Sequence, residues 1–133
     1  MRSRPATELL QLPVQLHGIR LGRPVDLLLD SAEWRALGFV VLCGDESSRF
    51  LVFAAADLGE DAIEVSSALL LLEDVEFYRD RSRSLRDLLD GELRDLLLTP
   101  DGSVEALVIE QDGDTQEVRP VGVWVESERV STA

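Results

Sequence analysis

His17 and Cys43 are the single histidine and the single cysteine of this chain, and general-base or nucleophilic catalysis would fall to them first. A general base needs a group that orients it and a pocket that holds substrate. Nothing near His17 in sequence supplies either. A Cys43–His17 nucleophile pair has no better support, because both residues stand in strand-like runs without a flanking motif. Asp26 and Asp95 could do acid-base work if they shared a cleft. Each is expected instead to meet a backbone amide or an arginine at a strand twist. The acidic clusters Asp45-Glu46, Asp57-Leu58-Gly59-Glu60-Asp61 and Asp112-Gly113-Asp114 invite a cation. The last imitates part of a calcium loop but lacks its full spacing and closing glutamate; a solvated hairpin turn is the expectation. A glycine-rich phosphate loop, metal-ligand spacing of Cys and His, and a nucleophile elbow are all missing. No catalytic, cofactor-binding or metal-ligating residue is expected, and the protein is expected not to be an enzyme.

Charge narrows the partners. A formal net charge of −13 and a pI near 4.3 repel phosphate backbones, which argues against direct nucleic-acid binding. With 5% aromatics, a stacking platform for single strands is also poorly supported. All 13 basic residues are arginine, and the one basic patch is the run from Arg79 to Arg86. It reads as a linker or as a contact for an acidic partner. One cysteine excludes an intrachain disulfide. No apolar stretch reaches the roughly 18 residues a membrane helix needs, and no signal-peptide core follows the basic N-terminus. A cytoplasmic protein is expected.

The elements that would position these residues read mainly as strands. Residues 1–12 look like a loose arm, with Thr7-Glu8-Leu9-Leu10 able to hold one helical turn between Pro5 and Pro13. Val14 and Leu16 alternate with polar neighbours, as do Val25, Leu27 and Leu29. Phe39 and Val41 share one strand face, Val40 the other; Ser31-Ala32-Glu33 before them is turn material, and Trp34 is placed to cover a barrel end. Phe50–Phe53 and Asp61–Val65 are further strands. Ser66-Ser67 precedes a short helical run at Leu69–Leu72. Residues 85–98 are ambiguous. Leu85, Leu88, Leu89, Leu93, Leu96 and Leu97 recur at helical spacing, and Ser84 with Asp87 imitates a capping box. The rival to one long helix is a short helix at 85–89 followed by a strand. Thr99-Pro100-Asp101-Gly102 has the composition of a tight turn, and strands follow at 104–109, 117–118 and 121–125.

A repeat decides that ambiguity. Leu21-Gly22-Arg23-Pro24-Val25-Asp26-Leu27-Leu28-Leu29-Asp30 matches Asp90-Gly91-Glu92-Leu93-Arg94-Asp95-Leu96-Leu97-Leu98-Thr99. Gly22 and Gly91 stand 91 − 22 = 69 apart, as do Asp26 and Asp95; Gly38 and Ala106 stand 68 apart. The lost residue falls in a turn, where length changes keep strand register intact. Two copies follow: 13–78 and a shortened 85–130, joined by a polar linker at 79–84.

The stretch Leu21-Gly22-x-x-x-Asp26-Leu27-Leu28-Leu29-Asp30, then Gly38-Phe39-Val40-Val41, then Arg49-Phe50-Leu51-Val52, resembles the PRC-barrel family, with Asp61–Val65 similar to its closing strand. The resemblance covers 13–78 and, more loosely, 85–130, where the first strand is missing and Arg94 stands at the place of Val25. It implies an all-β fold: a small, strongly bent PRC-type β-barrel, its motif duplicated, with one or two short helices. Such modules occur in a photosynthetic reaction-centre subunit, a bacterial ribosome maturation factor and stand-alone prokaryotic proteins. The implied role is a protein–protein interaction or scaffolding module with a protein partner or as a homodimer. The alternative is an accessory factor in ribosome maturation or RNA metabolism acting through a protein. The candidate contact residues are Trp34, Phe53, Phe77, Tyr78 and Trp124, since aromatics anchor interfaces, with Arg79, Arg81 and Arg83 from the basic run. Burial in the core is the competing role of each aromatic.

Overall fold

The computed structural model describes residues 3–30 and 32–120. Strand β1 (Arg4–Pro5) leads into the helical turn α1 (Ala6–Leu9), then β2 (Val14–Leu16), the long β3 (Ile19–Asp30), β4 (Arg35–Cys43) and β5 (Ser48–Val52). A 3-10 turn at Phe53–Ala55, the short strands β6 (Asp57–Leu58) and β7 (Ile63–Glu64), and a second 3-10 turn at Ala68–Leu70 come next. They lead to β8 (Leu71–Leu72), α2 (Val75–Arg79), β9 (Ser82–Ser84), α3 (Leu85–Leu89), β10 (Leu93–Leu98), β11 (Val104–Gln111) and β12 (Asp114–Val118). The described chain is mostly β with a few short helices. The stretch 85–98 takes the helix-then-strand form. Ser84 caps α3 by accepting from the Asp87 amide at 3.3 Å, and the exposed Gly91 lies in the turn that separates it from β10.

Two sheets form. One runs β6-β7-β2-β3-β4-β5-β8, with β9 also on β3; the other runs β1-β10-β11-β12. Neither closes on itself among the described residues: β6 and β8 end the first path, β1 and β12 the second. A closed barrel is thus not formed among the described residues; the strand expected at 121–125 lies outside them. The hairpins curve instead through bulges, which bend a strand and increase its twist.

The hairpins β3–β4 and β10–β11 keep the same register residue for residue. Pro24 faces Val41 and Asp26 faces Val40, with a bulge at Val25. Leu93 faces Ile109 and Asp95 faces Val108, with a bulge at Arg94. Leu27–Phe39, Leu28–Gly38 and Leu29–Ala36 are matched by Leu96–Leu107, Leu97–Ala106 and Leu98–Val104, a second bulge falling at Leu37 and Glu105. The offsets are 95 − 26 = 69 on the first strand and 107 − 39 = 68 on the second. Correspondence begins at Leu93; Gly22 is a ladder residue opposite Cys43, whereas Gly91 is not in a strand.

The flanking segments cross over. β1 pairs with β10, Pro5 opposite Leu97 and Arg4 opposite Leu98. β9 pairs with β3, Ser84 opposite Leu28 and Arg83 opposite Leu29. These are the same positions at the offset 97 − 28 = 69. Each hairpin therefore receives its outer strand, and the helix after it, from the segment that begins the other half. This corrects two expectations. The segment from Arg4 to Leu9 is packed rather than a loose arm, with Ala6 and Leu9 fully buried. Residues 82–84 of the expected linker are a ladder strand.

One core joins the halves. Leu27, Leu29, Phe39 and Val41 pack in the same buried cluster as their counterparts Leu96, Leu98, Leu107 and Ile109. A second, smaller cluster lies on the other face of the first sheet, where Leu28, Val40 and Phe50 meet Val75 of α2, with Tyr78 packed against them. Half a chain of this length buries too little apolar surface to be secure alone; two hairpins sharing one core overcome that.

Candidate functional site

Helix α2, packed on the outer face of the first sheet, carries the candidate site. Asp74 caps α2 by accepting from the Phe77 amide at 3.2 Å. Its apolar side seats Val75 in the second cluster. Tyr78, half-buried, stacks on the fully buried Phe50 with centroids 4.0 Å apart and planes 13° apart. Phe77 meets Tyr78 edge-on at 5.1 Å and is 47% exposed. The Arg81 guanidinium lies 3.9 Å over the Phe77 ring, and its Nη1 donates to the Phe77 carbonyl at 2.8 Å. A line of rings thus runs from the core to the surface and ends in an exposed aromatic carrying a cation. Aromatic–cation pairs of this kind are attractive through the ring quadrupole. On the other side of α2, Arg79 lies 3.9 Å from Asp26 and 3.5 Å from Glu76.

The two aspartates have structural work. Asp26 accepts from the Leu27 amide at 2.8 Å, the Arg86 amide at 3.1 Å and the Ser84 hydroxyl. Asp95 accepts from the Leu96 amide at 2.8 Å, the Thr7 amide at 3.0 Å and the Thr7 hydroxyl at 2.6 Å. Each carboxylate follows a bulge, takes the next amide of its own strand, and holds the first turn of the helix that arrives from the other half. An anion at a helix start is favoured by the free amides and the local dipole. The two sets share no group and form no common acid-base cleft. This is the backbone-amide role expected from sequence, with Arg79 beside Asp26 as the arginine.

The remaining candidates separate. Phe53 is a core residue, stacked on Phe39 with centroids 5.6 Å apart. Trp34 is half-buried against the main core at the turn before β4. Arg83 lies half-buried in β9 opposite Leu29. Trp124 lies outside the described residues. The structure brings together Phe77, Tyr78, Arg79 and Arg81, and leaves Trp34 and Phe53 elsewhere. Leu69 and Ile19, 87% and 67% exposed, were not singled out from sequence; Leu69 sat in an apolar run that gave no sign of facing outward.

His17 takes a left-handed backbone, φ 51°, with Gly18 at 83°, as a two-residue hairpin turn demands. It borders an open groove with Ala54, Asp57, Glu64 and Ser66. No hydrogen bond from a described residue orients the imidazole. Burial pushes the Cys43 thiol above its ordinary pKa, the nearby Arg49 opposing and Asp45 adding to the rise. Among the described residues, no three His, Cys, Asp or Glu side chains are placed to hold a metal ion, and no helix is long and apolar enough to cross a membrane. No family model matches the chain, and no curated protein sequence matches it.

Proposed function

We propose that this protein is a duplicated, PRC-barrel-type module whose role is to dock another protein, without catalysis of its own. Phe77 carries the reading: a large apolar ring held in the open by Tyr78 and Phe50 behind it and by Arg81 above it. Aromatic and arginine side chains are the types enriched where binding energy concentrates. A rigid support lowers the ordering cost of binding. The matched registers of the two hairpins and their crossed flanking segments support the duplication. The hydrogen bonds of Asp26 and Asp95, and the unoriented imidazole of His17, favour docking over acid-base chemistry.

The test is affinity capture from the native cell by wild type, Phe77→Ala and His17→Ala. The reading expects a stoichiometric partner retained by His17→Ala and lost by Phe77→Ala. Capture of the same partner by Phe77→Ala at wild-type yield removes the platform from the account. A ribosomal protein as that partner would favour an accessory role in ribosome maturation.

A further inference from the structure

The platform also carries information about what its partner is made of. Resting on the docking reading above, we propose that the partner presents a carboxylate to Arg81, so that the site takes an acidic peptide segment with an apolar residue beside the acid. Arg81 is fixed twice, by the Phe77 ring 3.9 Å beneath it and by the Phe77 carbonyl 2.8 Å from Nη1. A guanidinium offers five N–H donors in a planar fork, and this one uses a single donor on the backbone. Arg4, Arg49, Arg79 and Arg94 each pair with a carboxylate of the chain. Arg81, like Arg20, Arg23, Arg35 and Arg86, makes no ion pair among the described residues; what sets it apart is its fixed place over the exposed Phe77 ring.

A cation already oriented and lacking a carboxylate suits bidentate recognition of one. Phe77 beside it offers apolar area to the neighbouring residue of the ligand. The net charge of −13 disfavours an extended polyanion. It leaves room for a short acidic segment only: charges beyond about 8 Å are screened at physiological salt, while Asp74, Glu76 and Asp80 stand in the same segment as Arg81 and limit how much negative charge the ligand can carry.

The test is an NMR amide-shift titration of the full chain with three hexapeptides, alternating Glu/Leu, Gln/Leu and Lys/Leu, and a short single-stranded RNA. The Glu/Leu peptide is expected to shift the amides of Val75–Ser82, and to bind about tenfold more tightly than the Gln/Leu peptide, as a charge-assisted pair should. Arg81→Gln is expected to remove that difference, with its own spectrum reporting that the fold is intact. Equal binding of the Glu/Leu and Gln/Leu peptides, abolished by Phe77→Ala, overturns the acidic partner and leaves docking at α2 standing. A stronger response to the Lys/Leu peptide or to RNA also overturns it. The absence of any shift at α2 overturns the acidic-peptide inference, while the docking reading stands or falls separately on the capture yield of Phe77→Ala.

Discussion

Arg35 and Ser103 face each other in an antiparallel bridge, and they are equivalent residues of the two hairpins, 103 − 35 = 68 positions apart. The contacts around them are reciprocal: the Ala36 amide donates to the Gly102 carbonyl at 2.7 Å, and the Val104 amide donates to the Trp34 carbonyl at 2.9 Å. Trp34 and Gly102 correspond and are both left-handed, with φ 52° and 93°. Gly102→Ala puts a Cβ on a backbone unsuited to it and 2.9 Å from Phe53 Cδ2. A loss of about 2 kcal/mol is expected, from backbone strain and overpacking together. Chemical denaturation measures it.

The carboxylate clamps should respond in parallel. Asp26→Ala strips partners from two amides and a hydroxyl at a position 5% exposed, and is expected to cost about 3 kcal/mol. Asp95→Ala is expected to cost about 2 kcal/mol. A double-mutant cycle of Thr7→Val with Asp95→Ala should give a coupling of about 1 kcal/mol. No coupling would mean that α1 is held by burial of Ala6 and Leu9 alone.

Two turn aspartates make acid stability specific. The hydroxyl and amide of Ser47 lower the pKa of Asp45, and the Thr99 hydroxyl with the Ser103 amide lowers that of Asp101. A carboxylate depressed in the folded state stabilises above its unfolded pKa, and that contribution is lost as pH falls through the folded value. Asp45→Asn and Asp101→Asn should therefore flatten the decline of Tm with pH below the ordinary aspartate range and leave its neutral-pH slope unchanged. Thermal melts along a pH series measure this.

Cys43 should be a poor nucleophile. Partial burial raises its pKa, so the thiol stays protonated at neutral pH, and the thiolate is the reactive form. Alkylation by iodoacetamide is expected to be slower in the folded protein than in denaturant. Fast labelling of the folded protein would contradict this.

The hairpins were legible because their signals are local. Leu27 and Leu29 alternate with Asp26 and Leu28, Thr99–Gly102 has turn composition, and a register slip would have reversed every side chain. The same matching of Asp95 to Asp26 resolved the helix-or-strand conflict at 85–98. The crossed segments were not legible. Ser82-Arg83-Ser84 and Arg4-Pro5 are too short and polar to show periodicity, and their partners at 28–30 and 97–98 are remote in sequence. The candidate site was half legible: residue types pointed to Phe77, Tyr78 and Arg81, but the same reasoning offered Phe53, which Phe39 and Gly102 enclose in the core. The outward face of Phe77 follows from Tyr78 occupying the place on Phe50, a tertiary contact with no sequence signature.

The docking account is tested most directly by the yield of one captured partner from native extract on wild type and on Phe77→Ala, compared at equal amounts of folded bait. The account predicts a loss of at least about tenfold on Phe77→Ala, as truncation of an interface anchor should give, with His17→Ala at wild-type yield. Equal yields on all three baits would contradict it.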